Sequence, residues 1–164
     1  NLKKLEQLQS RLGGNPRISI DINAARKADI VVTVTSWPGA LLEGEHLKMG
    51  AVVCDVSQPR NTTPLLAAER PDAIIVDGAF VRVPAGIEFW WMSLPPHVTF
   101  ACMAETIMQV LEGDLENHVG EIDPEFFKEI LFRAERHGFG LAPFTSFGEP
   151  IEEKEMVLLG QRNY

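Results

Sequence analysis

The chain opens on leucines at helical spacing. Leu2, Leu5, Leu8 and Leu12 fall on one face of an amphipathic helix, and Gly13-Gly14 stops it. After Pro16, Arg17 to Ile20 is a short β-prone run, followed by a brief helical stretch around Ile22 to Ala28. Three apolar runs dense in β-branched residues come next, at Asp29 to Thr35, Ala51 to Val56 and Ala73 to Val76. None shows clean polar alternation, which is the pattern of a strand covered on both faces in a parallel sheet. Each ends in a turn: Ser36-Trp37-Pro38-Gly39, Ser57-Gln58-Pro59-Arg60-Asn61 and Asp77-Gly78-Ala79. Between them Glu43 to Met49 reads as a weak short helix, and Thr63 caps another over Pro64 to Glu69, with Pro64 at its first position.

The pattern changes further along. Ile87 to Met92 reads as another strand or an extended apolar loop, and Pro95-Pro96 then precedes a long helix over residues 97 to 112, halted by Gly113. Asp123-Pro124 opens a last helix that ends at His137-Gly138. Beyond Gly140 the periodicity fades, and the charged run from Glu152 to Glu155 and the apolar patch from Met156 to Leu159 receive no role. Strands separated by helices predict an α/β fold with a parallel sheet, without internal repeats. Ligands of such sheets sit beyond the carboxyl ends of the strands, so the three turns are the first place to look for function.

Composition narrows the choice. With 164 residues, the chain is long enough for a core that needs no disulfide staples. Acidic residues outnumber basic ones 23 to 15, a formal charge of −8, and the cations are scattered, which argues against nucleic acid as a partner. Two widely separated cysteines without a CxxC spacing predict reduced thiols in a cytoplasmic protein. No apolar run approaches the ~20 residues of a membrane span. The start at Asn1, directly in a helix, is the expected mark of a fragment of a longer protein.

The turns offer a hydroxyl at Ser36, an amide at Asn61 and a cation at Arg60, although Ser, Pro, Asn and Gly also serve turns for backbone reasons alone. Cys102 stands out on its helix. Phe100, Ala104, Ile107 and Leu111 form the predicted apolar stripe, while Cys102, Glu105, Thr106 and Gln109 line another face. A thiol off the core stripe can serve as a nucleophile that forms a thioester. The alternative is a small hydrophobe between two elements, and Cys54, inside an apolar strand, is expected to be of that inert kind. On the long helix, Cys102 falls past the first turn and beside Glu105, neither of which favours a thiolate. Asp55 and Asp77, at strand ends, read as loop caps; Phe89-Trp90-Trp91 reads as core or interface. The histidines have no metal-ligand spacing, so no metal is predicted.

Thr35-Ser36-Trp37-Pro38, Asp55-Val56-Ser57-Gln58-Pro59-Arg60-Asn61, Asp77-Gly78-Ala79, Phe100-Ala101-Cys102-Met103-Ala104-Glu105 and Arg136-His137-Gly138-Phe139 together resemble the carboxyl half of the long-chain acyl-acyl carrier protein reductases. The strand and turn elements are shared more loosely with shikimate dehydrogenase-like and glutamyl-tRNA reductase-like Rossmann domains. The resemblance implies NADPH-dependent reduction of an acyl thioester to an aldehyde, with Cys102 taking the acyl group. It also implies a cofactor, NADP with NAD as the alternative, bordered by Ser36, Trp37, Pro38, Ser57, Pro59, Arg60, Asn61, Asp77 and Gly78.

The chain departs from the pattern where the phosphates would be held. It contains no G-x-G-x-x-G, and Gly13-Gly14 has the wrong spacing. The expected architecture is therefore an incomplete three-layer Rossmann-like parallel sheet with two C-terminal helices. Residues 1–140 would be the NAD(P)-binding domain, lacking its first strand and phosphate loop, and residues 141–164 a tail. Two other functions stay open: a dehydrogenase of a small carbonyl or amino-acid substrate, and a non-catalytic nucleotide-binding or scaffolding domain. Expected partners are an acyl thioester or small carbonyl substrate, with self-association left open.

Overall fold

The computed structural model describes residues 2–92, 94–118, 120 and 123–152. The apolar patch from Met156 to Leu159 lies outside the described residues, as does the charged run after Glu152. The chain divides into two compact units, Asn1–Val76 and Asp77–Tyr164.

The first unit begins with α1 (Leu2–Leu12), which buries none of its residues and leaves Leu2, Leu8 and Leu12 exposed. Asp21 caps a 3-10 turn over Ile22–Lys27 by accepting the Asn23 N–H at 3.0 Å. β1 (Ile30–Thr33), β2 (Val52–Asp55) and β3 (Ile74–Asp77) then form a three-stranded parallel sheet in that order, with α2 (Pro64–Glu69) between the last two. β1 and β2 run from Ile30 opposite Val52 to Thr33 opposite Asp55. Ala51, Val53, Leu66 and Ile75 are buried around the middle strand.

The weak helix expected at Glu43 to Met49 is a 3-10 turn, Gly44–His46, held from outside by Arg70. Arg70 donates to the carbonyls of Gly44, Leu47 and Lys48 and forks onto Asp72 through two bonds of 2.7 Å. β1 differs from its expectation. Ile30 and Val32, with Val34 just beyond the strand, alternate to an exposed face, so β1 is not covered on both faces as expected.

The second unit carries an antiparallel sheet that the periodicity does not reveal. β4 (Phe80–Arg82) lies between β5 (Val98–Phe100) and β6 (Gly140–Leu141). The helix expected over residues 97 to 112 is therefore shorter, α3 (Ala101–Leu111); β-branched Val98 and Thr99 pair with β4 instead. Ile87 to Met92 contains a 3-10 turn at Trp90–Met92 rather than a strand. α4 (Pro124–His137) follows its signals closely: Asp123 accepts the Glu125 N–H at 2.9 Å, and Gly138 ends the helix at φ 76°. Val83, Ala104, Met108 and Phe139 form the core of this unit, joined by Ile107, Ile130 and Ala134. Leu111, expected on the core stripe, is exposed, and Met108 takes its place one turn earlier. Residues 145–150 form a hairpin of β7 (Thr145–Ser146) and β8 (Glu149–Pro150), turned by Phe147 and Gly148, both at positive φ. Among the described residues, no helix is long and apolar enough to cross a membrane.

Candidate functional site at the strand ends and Cys102

In the first unit, the two strand-end turns are bound to one another. Asp55, the last residue of β2, is buried, and its Oδ1 accepts from Thr33 Oγ1 at 2.7 Å and the Ser57 N–H at 3.1 Å. Its Oδ2 accepts the N–H groups of Asn61 and Thr62 at 2.9 Å and Thr62 Oγ1 at 2.7 Å. Burial alone would raise the Asp55 pKa, but these donors, the Thr62 and Thr33 hydroxyls foremost, hold it below the ordinary carboxylate value. Ser57 and Asn61 are buried as well. Ser57 Oγ donates to Asn61 Oδ1 at 2.8 Å and accepts the Thr35 N–H at 3.1 Å; Thr35 Oγ1 donates to Asn61 Oδ1 at 2.6 Å; Asn61 Nδ2 donates to Gly39 O at 3.1 Å.

The neighbouring turn residues differ in character from these buried ties. Ser36, Trp37 and Pro38 are exposed, and the space where a Cβ would stand on Gly39 is open. A flat ligand can therefore approach this backbone closely. Pro59, after a cis peptide bond, is exposed, and Arg60 is half-buried.

In the second unit, the Asp77-Gly78-Ala79 turn and Cys102 come together. The Ala101 N–H donates to Ala79 O at 2.8 Å, and the rings of Phe80 and Phe100 pack 5.3 Å apart, so the first turn of α3 stands on the strand-end turn. Because α3 starts at Ala101, Cys102 lies in that first turn, where the helix dipole favours negative charge. Its thiol is exposed. Glu105 accepts from Gln109 at 3.3 Å, and Thr106 donates to Cys102 O at 3.0 Å. Asp77 is buried and faces the hairpin: it accepts from Thr145 Oγ1 at 2.8 Å and from the N–H groups of Phe147 at 3.0 Å and Gly148 at 2.8 Å.

Cys54 is half-buried, and burial pushes its thiol pKa up, with a smaller contribution from the Asp55 charge. His97 occupies the turn before β5 at φ 60°. Glu43, Glu45 and His46 bring potential ligand atoms within 4.8 Å of one another, which the spacing of the histidines does not suggest. His46 is buried, and its Nδ1 accepts the Glu43 N–H at 3.1 Å as part of the capping of its own 3-10 turn.

No family model matches the chain. It is 32% identical over 140 residues to aminotransferase PigE of Serratia sp., a match covering 81% of this chain and 16% of that protein. It is 28% identical over 148 residues to a long-chain acyl-[acyl-carrier-protein] reductase of Synechococcus elongatus, covering 85% of this chain and 42% of the reductase. The chain thus spans less than half the length of either relative. Both are enzymes, and the second is a distant relative of the kind that the turn and cysteine motifs resemble.

Proposed function

We propose that the protein containing this chain reduces an acyl thioester to an aldehyde, and that this chain supplies part of its NADP-binding domain together with the nucleophile, Cys102. The observation that carries the reading is the 2.8 Å bond from the Ala101 N–H to Ala79 O, which joins the first turn of α3 to the turn after β3. An exposed thiol is set there beside a glycine-containing strand-end turn, in a fold whose ligands gather at such turns. The likeness to a long-chain acyl-[acyl-carrier-protein] reductase supports the same reading.

Cys102 Sγ attacks the thioester carbonyl, the carrier thiol leaves with the proton, and the acyl group is held on the enzyme as a thioester. The dipole of α3, in whose first turn Cys102 lies, favours the negative charge that develops during that attack. NADPH, when bound, supplies the hydride that reduces this thioester. The Cys102 sulfur then departs as thiolate and takes up a proton as the aldehyde is released. In the first unit Ser36, Trp37, Pro38, Pro59 and Arg60 are the proposed cofactor contacts, and in the second unit Gly78. Ser57 and Asn61 in the first unit, and Asp77 in the second, act as the groups that hold their own turns in shape. The two relatives carry different activities, so aminotransfer is not proposed for the segment they share with this chain.

NADPH oxidation by the protein containing this chain, measured with a panel of acyl thioesters, tests the reading. The expected result is turnover that Cys102→Ala abolishes. Turnover of small carbonyl substrates unaffected by the substitution would instead identify a general dehydrogenase and a structural Cys102.

A further inference from the structure

A cleft of about 370 Å³ opens in the second unit, on the face of the antiparallel sheet. Its volume falls in the roughly 300–1,000 Å³ range of small-molecule sites. Phe80 and Val98 come from the sheet, Pro95 and Pro96 from the loop before β5, and Ala142 and Pro150 from the far side. Nearly all of this lining is carbon. The hydroxyl of Thr145, also in the wall, donates to Asp77 at 2.8 Å, and that carboxylate fixes the hairpin forming this side of the cleft.

Two residues break the apolar character. Arg82 and His97 line the same cleft, and both are exposed. Among the described residues, Arg82 has no acidic partner within ion-pair distance, although acidic groups outnumber basic ones 23 to 15 in the chain. Its position is built in by a missing side chain: a Cβ on Gly140 would stand 2.9 Å from Arg82 Nη2. A guanidinium presents a planar fork that matches a carboxylate bidentately, and such a charge beside a carbon-lined cleft complements a molecule with an apolar body and one acid group.

We propose that this cleft binds a small amphipathic carboxylate, its apolar body between Phe80, Val98 and the prolines and its carboxylate on Arg82 with His97 beside it. The inference does not depend on the reaction proposed above: Cys102 has no part in it, and Asp77 enters only as the anchor of the hairpin.

The test is a titration of the isotope-labelled chain with sodium octanoate, followed by amide NMR, with octanol as the uncharged control. The expected result is saturable shifts at Phe80, Val98 and Gly148, a dissociation constant below about 1 mM, and clearly weaker binding of octanol. Arg82→Gln should weaken octanoate about fivefold to tenfold and leave octanol unchanged. Gly140→Ala should act in the same direction, because the added Cβ meets only the far end of the Arg82 side chain and leaves the fold intact. No saturable shift with octanoate, shifts centred elsewhere, or equal octanoate binding by wild type and Arg82→Gln would each overturn the proposal.

Discussion

Replacing Asp55 with asparagine should damage the first unit more than any other single amide-for-acid change in its turns. The carboxylate accepts five hydrogen bonds from four residues, and it is buried. An asparagine has one acceptor oxygen. In the less costly orientation, its NH₂ faces Thr33 Oγ1 and the Ser57 N–H; the hydroxyl can rotate to accept, but the backbone N–H is orphaned at about 1–3 kcal/mol. The remaining bonds lose their charge assistance, falling from about 1.5–3 to about 0.5–1.5 kcal/mol each in isolation. Since such terms are not additive within one network, a total near 4 kcal/mol is expected, a large share of the ~5–15 kcal/mol that stabilises an ordinary domain. With a urea m-value of about 2 kcal/mol/M, the midpoint followed by far-UV circular dichroism should fall by about 2 M.

The effect has a pH signature. The folded Asp55 carboxyl titrates below its ordinary value, so as pH falls the unfolded chain takes up the proton first. The stability it contributes is full above the unfolded pKa of about 3.9 and is lost as pH falls through the lower folded value. The gap between wild type and Asp55→Asn should therefore be equal at neutral and mildly acidic pH and should narrow below about pH 4. A loss under about 1 kcal/mol at neutral pH, or a gap that does not narrow in acid, would refute this account of how the turns are held.

Three further outcomes follow from the same geometry. Arg70→Lys keeps the charge but not the fork that reaches Asp72 and three carbonyls, and should cost about 2–3 kcal/mol in urea unfolding. Gly138→Ala places a Cβ on a residue at φ 76° and should cost about 1 kcal/mol, read as a drop of a few degrees in thermal midpoint. Iodoacetamide labelling read by peptide mass spectrometry should modify exposed Cys102 about tenfold or more faster than Cys54, whose thiol is half-buried with a raised pKa.

Elements with strong local signals were legible in the sequence. Thr63-Pro64, Asp123-Pro124 and Gly138 are chemical stop and start signs, and α2 and α4 lie where they point. β2 and β3 were legible as apolar runs. β5 was not, because Val98 to Phe100 directly precedes a helix and becomes a strand only through pairing with β4, which no local pattern reports. The hairpin at residues 145–150 was invisible for a related reason: Asp77, far away in sequence, holds its turn. That missed strand also moved the start of α3 and brought Cys102 into the first turn.

The turns themselves were located from sequence, and Asp55 and Asp77 were recognised as loop caps. The direction in which Ser57 and Asn61 face was not readable, since a polar turn residue has the same signature whether it meets a ligand or a neighbouring turn. Arg82 was missed altogether. It attracts notice only once β4 and β6 bring it against Gly140 beside an apolar cleft.

The central claim is that Cys102 carries the acyl group, and intact-mass spectrometry tests it most directly. The protein containing this chain is incubated with an acyl thioester without NADPH, then quenched in acid and weighed. The account predicts a mass increase of one acyl group that maps to Cys102, disappears on adding NADPH and never forms in Cys102→Ala. An enzyme that oxidises NADPH with the same thioester yet carries no adduct, or carries one undiminished by Cys102→Ala, would contradict it.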